Sequence, residues 1–389
     1  MPAPAGIRLA QLIVHAVAIT IQPYGQDHEA AIRAFNDRLK AGQPDENLVF
    51  YSASTPRWLP RRSDSDIYNE YFVAMDGRDA RGAYALKWQN FLFPDGETRS
   101  IACYHHPLSE GVIDRSYSSV GALLMRDALN RAPFLYCLGM GGYDRPLPRM
   151  LMGLGWSHVL LPFHFRIVRP FRFLREMRAL RSPAWRRVLM DVGAFTGAGW
   201  LASAAWQSFE RIRSPRLEGV TARPVDEFCE WADRLWQEAK SSYALTAVRD
   251  RHALQTLYHR GSGAVRCLRV VQGGDDIGWA VTGERRKDSK YGAMRVGSIV
   301  DCWALPGHER AVVRTAGAAL EERGVDLIVT NQSHASWSSA VRAEGFLSGP
   351  SNFIFAASRK LSELLAPFDQ TMRRMHVTRA DGDGLPDNF

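Results

Sequence analysis

Two stretches of this chain repeat one order of predicted elements at one spacing, and a duplicated order restricts the fold more than composition does. In the first stretch, apolar alternation predicts a strand over 19–24 and helical spacing predicts a helix over 28–40. After a loop rich in Pro, Arg and Ser come strands over 71–75, 82–88 and 99–106. Val120, Leu123, Leu124 and Leu129 space a helix over 119–130, followed by a strand over 134–138, a helix over 147–154 and a strand over 158–168. The second stretch repeats this: strand 219–223, helix 226–238, strands 268–271, 277–283 and 293–303, helix 309–323, strand 326–330, helix 336–343, strand 353–357. Leu129 and Leu320 are 191 positions apart, as are Glu110 and Asp301, and Gly155 and Gly345 are 190 apart. Upstream, Pro23 and Pro224 are 201 apart. The difference belongs in loops such as 52–66, where length changes collect.

Strands alternating with helices predict an α/β fold with a mixed sheet in each half, the halves spanning 19–168 and 217–365. The stretch 169–216 between them does not match the repeat and is rich in arginine. Phe173, Leu174, Met177 and Leu180 cluster on a helical wheel apart from Arg172, Arg175 and Arg178, which predicts a basic amphipathic helix over 171–187. Such a helix suits packing across both halves or peripheral contact with an anionic membrane. The apolar run over 188–206 contains Asp191, Gly193, Gly197 and Gly199, so it suits a membrane span poorly.

A content of 46% hydrophobic and 23% charged residues over 389 positions allows real cores and excludes disorder as the default state. The formal charge of +8 favours an acidic partner, whether a nucleotide-bearing cofactor, nucleic acid or a lipid face. No basic stripe interleaved with aromatics stands out, so nucleic acid is not expected. The cysteines (Cys103, Cys137, Cys229, Cys267, Cys302) are odd in number and never at CxxC spacing, which points to a cytoplasmic chain without a disulfide framework or zinc ribbon. The apolar run over 9–21 after Arg8 resembles a weak signal peptide, but Gln11 and His15 interrupt it. His105 and His106 are adjacent on a predicted strand and point to opposite faces, so no metal site is expected.

The passage His105-His106-Pro107-Leu108-Ser109-Glu110-Gly111, leading to Val120-Gly121-Ala122-Leu123, has a partner in Val300-Asp301-Cys302-Trp303-Ala304-Leu305-Pro306-Gly307-His308-Glu309. With the terminal steps Leu154-Gly155-Trp156 and Glu344-Gly345-Phe346, these passages resemble the GNAT (acetyl-CoA-dependent N-acetyltransferase) family twice over. The resemblance covers the chain apart from residues 1–18, the connecting stretch and the tail after Leu365. It implies two GNAT-like domains in tandem, each a splayed mixed sheet flanked by helices. It also implies acetyl-CoA or another acyl-CoA as co-substrate, with an amine or hydroxyl on a small molecule or saccharide as acceptor. The layout equally resembles FemAB-like aminoacyl transferases, which implies aminoacyl-tRNA and a cell-wall precursor; a degenerate pair that binds without catalysis is a third implication. Eleven tryptophans lean towards a saccharide. The family's Arg/Gln-x-x-Gly-x-Gly/Ala loop is intact in neither copy, since the first reads Ser118-Ser119-Val120-Gly121-Ala122-Leu123 and the second keeps Pro306-Gly307. Its usual tyrosine is replaced by Leu151 and Val341.

A helix start offers unpaired main-chain N–H groups and a positive dipole end, so Ser118, Ser119, Val120, Gly121 and Ala122 could hold a pyrophosphate; Ser118 could equally be an ordinary cap. Acyl transfer to an amine needs a base and a proton donor for the thiolate. Glu110 and Asp301 are the candidate bases, or partners of Arg115 and Arg314 instead. Tyr143, after the turn Gly139-Met140-Gly141-Gly142, is the candidate donor or a plain turn aromatic. Asn331, Ser333 and His334 stand at the matching turn of the second copy, where Ser333 suits a helix cap. Gly121, Glu110 and Tyr143 together favour the first copy for catalysis.

Overall fold

The computed structural model describes residues 19–44, 48–176, 217–258, 265–286 and 293–382. The run over 9–21 and the basic helix over 171–187 therefore lie largely outside the described residues. The elements in chain order are β1 (Thr20–Pro23), α1 (Glu29–Gly42), β2 (Tyr68–Asp76), β3 (Asp79–Leu92), β4 (Thr98–Ser109), α2 (Val120–Arg131), β5 (Leu135–Gly139), α3 (Pro146–Gly153), β6 (Ser157–Leu160), β7 (Phe163–Ile167) and α4 (Pro170–Glu176). There follow β8 (Val220–Val225), α5 (Glu230–Ala239), β9 (Leu245–Ala247), α6 (Arg251–Leu257), β10 (Val265–Gln272), β11 (Asp275–Arg286), β12 (Arg295–Ala304), α7 (Glu309–Glu322) and β13 (Leu327–Asn331). The last are α8 (Ala335–Ala343), β14 (Leu347–Gly349), β15 (Ile354–Ala357), α9 (Arg359–Leu364), α10 (Phe368–Arg373) and β16 (Met375–His376).

The chain divides into two compact units. The first comprises Met1–Ser54, Tyr71–Tyr84 and Pro107–Asp127. Here β1 pairs antiparallel with β2, from Thr20 opposite Met75 to Pro23 opposite Phe72. Helix α1 buries Ile32, Phe35 and Leu39, which share one face at helical spacing. Asn36 on that face bonds the main chain of Phe50 twice, at 2.9 and 2.8 Å. The start of α2 packs on β3 at Gly82, where a Cβ would stand 2.7 Å from Val120 and 3.0 Å from the Leu108 carbonyl.

The second unit comprises Thr55–Glu70, Ala85–His106 and Ala128–Phe389. One of its mixed sheets runs β2-β3-β4-β5-β15-β6 and the other β14-β7-β13-β12-β11-β10-β8. The core of the latter centres on Trp279, Trp303 and Trp337, all fully buried. The strand expected over 158–168 is two strands in two sheets. Pro162, which has no N–H to give a ladder, separates β6 from β7. β7 pairs with β13 and β14, whereas β15 from the second repeat pairs with β5 and β6. Each sheet is thus completed by a strand from the other half of the chain. β9, α6, β14, α9 and all elements after Leu365 lie outside the expected pattern.

Candidate active site

In each sheet a parallel pair opens after a short contact. β4 pairs with β5 only at Ala102–Leu135 and Cys103–Tyr136, yet β4 continues to Ser109. β12 pairs with β13 from Val296–Leu327 to Ile299–Thr330 and continues to Ala304. Local irregularities turn the longer strands aside. Opposite β11, Asp301 faces Val281 and Ile299 faces Thr282, so Val300 is an extra residue that bends β12. In β4, His106 adopts the left-handed region at φ 52°, uncommon for a residue with a side chain. Strict alternation therefore fails between His105 and His106.

The first copy then makes two tight turns before α2. Ser109 caps the turn Glu110–Val112 and Asp114 caps the turn Arg115–Tyr117. Glu110 is buried and its carboxylate accepts from Arg38 Nε at 2.7 Å and from Arg81 Nη1 at 3.1 Å. Its ion pairs are with Arg38 and Arg81 rather than the expected Arg115. Gly111 lies so close below Ser118 that a Cβ would stand 2.6 Å from the Tyr117 carbonyl, which joins the Glu110 turn to the helix start. Val120 is buried, Ser118, Ser119 and Ala122 are exposed, and a Cβ on Gly121 would meet nothing within 4 Å. Glu110 and residues 118–122 thus lie together in the first unit.

Tyr143 and Asp301 belong to the second unit. Tyr143 follows four consecutive left-handed residues, Gly139, Met140, Gly141 and Gly142, at φ 95, 65, 78 and 109°. Its ring meets His158 edge-on at 5.4 Å, and burial raises its phenol above the ordinary value. Asp301 is fully buried and accepts from Arg249 Nε at 2.7 Å, Tyr258 at 2.7 Å and Thr378 at 3.0 Å. Burial pushes its carboxyl up against the pull of Arg249. Arg249 also donates to Asp381 at 2.5 Å. Lys87, fully buried on β3, donates to the carbonyl of Ala380 at 2.5 Å and is pushed down to about 8 by burial. Asn331 donates to the Pro162 carbonyl, His334 caps α8, and Ser333 is engaged by the tail.

The spacing of 191 aligned Glu110 with Asp301, but their settings differ. Asp301 lies within β12, two positions past the last β13 pair; the residue two past the last β5 pair in β4 is His105. His105 is buried, sits 3.4 Å from Asn69 Oδ1, and is pushed down to about 3 by burial, then by His106 and Lys87. The discrepancy arises because ten residues (110–119) separate β4 from α2, whereas four (305–308) separate β12 from α7. Lys87, Arg249, His376 and Asp381 escaped the sequence reading. A lysine inside the otherwise apolar Ala83–Leu86 neighbourhood was the available signal for Lys87. Among the described residues, no group of three or more His, Cys, Asp or Glu could hold a metal ion, and no helix is long and apolar enough to cross a membrane.

Two mixed sheets flanked by helices, each opening at a parallel pair, are the α/β class expected from the resemblance. The fold is similar to that of Saccharomyces cerevisiae N-myristoyltransferase with bound myristoyl-CoA and inhibitors, with a TM-score of 0.50 and 9% identity over 87% of this chain and 79% of that one. It is also similar to a tandem GNAT protein from the clavulanic acid biosynthesis pathway, with a TM-score of 0.46 and 12% identity over 87% and 98% of the two chains. A GCN5-related N-acetyltransferase from Anabaena variabilis gives 0.48 and 9% over 87% and 72%. At such identities the likeness concerns the fold. No protein-family model and no curated sequence matches the chain.

Proposed function

We propose that this protein is an acyltransferase that moves an acyl group, acetyl first among the candidates, from acyl-CoA to an amine or hydroxyl of a small molecule or saccharide. The observation that carries the reading is the opening of β4 away from β5. Parting strands make room beside an extended main chain, and the amide-bearing arm of CoA is an occupant able to hydrogen-bond there. Within the first unit, the start of α2 suits a pyrophosphate: Gly121 has open space beside it and Ser118 and Ser119 are exposed, so main-chain donors and hydroxyls can meet one.

Bound acyl-CoA would supply the activated thioester carbonyl. The amine attacks that carbon, gives up its proton, and the thiolate leaves and is protonated. Tyr143 is the proposed donor of that last proton, since a phenol is protonated at neutral pH and it follows the turn after β5. Glu110 is the proposed base, although two arginines already claim its carboxylate.

Thermal stability measured with acetyl-CoA, myristoyl-CoA and aminoacyl-tRNA separates the alternatives, because a ligand of the folded state raises the midpoint. A rise with an acyl-CoA, followed by release of free CoA thiol in the presence of an amine panel, is the expected result. A rise with aminoacyl-tRNA alone would replace this reading with a FemAB-like transferase, and binding without thiol release with a non-catalytic binder.

A further inference from the structure

The second opened pair is filled by the chain itself. Beyond Ile299 and Thr330, where β12 and β13 part, residues 375–381 run into the gap. Ser333 Oγ, just past β13, donates to the carbonyl of Met375 at 2.7 Å and accepts from the N–H of Val377 at 2.7 Å. On the other side, His376 Nε2 donates to the carbonyl of Cys302 at 3.0 Å, and Thr378 donates to Asp301 at 3.0 Å. The tail thus occupies the opening, meeting the Ser333 hydroxyl past one strand and the Cys302 carbonyl and Asp301 carboxylate on the other. The His376 ring stacks on Tyr243 at 4.7 Å and on Trp337 at 5.5 Å, inside the core of the second sheet. Met375, Val377, Thr378 and Asp381 are all fully buried. β16 also pairs with β9, which pairs with the end of β3.

Through β9 and β16 the tail is also part of the first sheet. There, Lys87 Nζ and Tyr136 Oη reach out from β3 and β5 to the carbonyls of Ala380 and Asp381.

We propose that the opening between β12 and β13 is a peptide cleft whose resident is the chain's own segment 375–381, so that the protein takes one acyl-CoA per chain, in the first copy. The inference rests on the acyl-CoA reading above and adds where and how many. The second copy is then a scaffold. Its opened strands have kept the geometry of a ligand slot and use it to hold the tail, and through the tail to bring Asp381 to Arg249.

Isothermal titration of the full chain with acetyl-CoA counts the sites. One equivalent is expected. In Gly121→Trp that equivalent should weaken at least tenfold, and Gly121 has open space where the new side chain begins, so the fold should survive, as circular dichroism would verify. Gly121→Glu, smaller and charged against a pyrophosphate, provides a second variant with the same expected loss. Two equivalents would overturn the inference and leave the acyl-CoA reading standing. One equivalent that persists in both Gly121 variants would also overturn it, by locating the site elsewhere. No binding at all to the folded chain would overturn the acyl-CoA reading, and the inference with it.

Discussion

Asp301, Arg249 and Asp381 form a row of buried charges in which the guanidinium lies between two carboxylates. Removing one member leaves another charged group in a place where water cannot reach it. Asp301→Ala should therefore cost about 3–5 kcal/mol in urea unfolding, and a loss under about 1 kcal/mol would show that the row is not needed for stability. Glu110 allows two effects to be separated. Glu110→Gln should lose about 1–3 kcal/mol from its bonds to Arg38 and Arg81. A drop in kcat of about 10²–10⁴-fold at unchanged acetyl-CoA affinity would mark it as a base as well. The buried histidines set a pH dependence. His376, facing Asp381, Arg249 and His334, is pushed to about 3 by burial. Unfolded, it titrates near its ordinary value, so between about pH 6.5 and pH 3 the unfolded chain binds the extra proton and stability falls with pH. That contribution is fully present above the unfolded value. His376→Phe should make the acid limb of the stability profile shallower than in the natural protein; an unchanged slope would mean that His376 is protonated in the fold.

At the level of elements, the contact of α2 with β3 is closest at Gly82. Gly82→Ala puts a methyl 2.7 Å from Val120, and overpacking of this kind should lower stability by about 1–3 kcal/mol. A null effect on the thermal midpoint would mean that α2 shifts freely on the strand. Long elements were legible because their burial repeats over many residues: the three-strand meander β2 to β4, α1, α2, α7 and β10 to β12 all appear where periodicity places them. β9, β14 and β16 span three, three and two residues, too short to carry a period at all. The candidate site was legible in part. The helix start at Val120 and the turn before Tyr143 are marked by Ser and Gly, whose local backbone preferences show in sequence. The partners of Glu110 and Asp301 are not, because Arg38, Arg81, Arg249 and Thr378 come from distant positions.

For the molecule as a whole, the exchange of β7 and β15 has the largest consequence. A fragment ending at residue 168 would hold β7 without β13, and its sheet would lack the strand between β5 and β6. Such a fragment should fail to give a cooperative unfolding transition, and mixing it with residues 169–389 should restore one. A fragment that folds alone would show that β15 is dispensable.

The α/β class and the order of the long elements were determined by the sequence alone, since the alternation of buried and exposed positions is a local property that survives without knowledge of partners. Which sheet a strand joins was decided only in three dimensions. The runs 163–167 and 354–357 have the same pattern whichever neighbour they pair with, and pairing energy depends on the face and edge they meet. The tail shows the same limit more sharply. Nothing periodic marks residues 375–381, and their place between β12 and β13 follows from a main-chain carbonyl, a serine hydroxyl and a buried aspartate that face one opening only once the strands have parted.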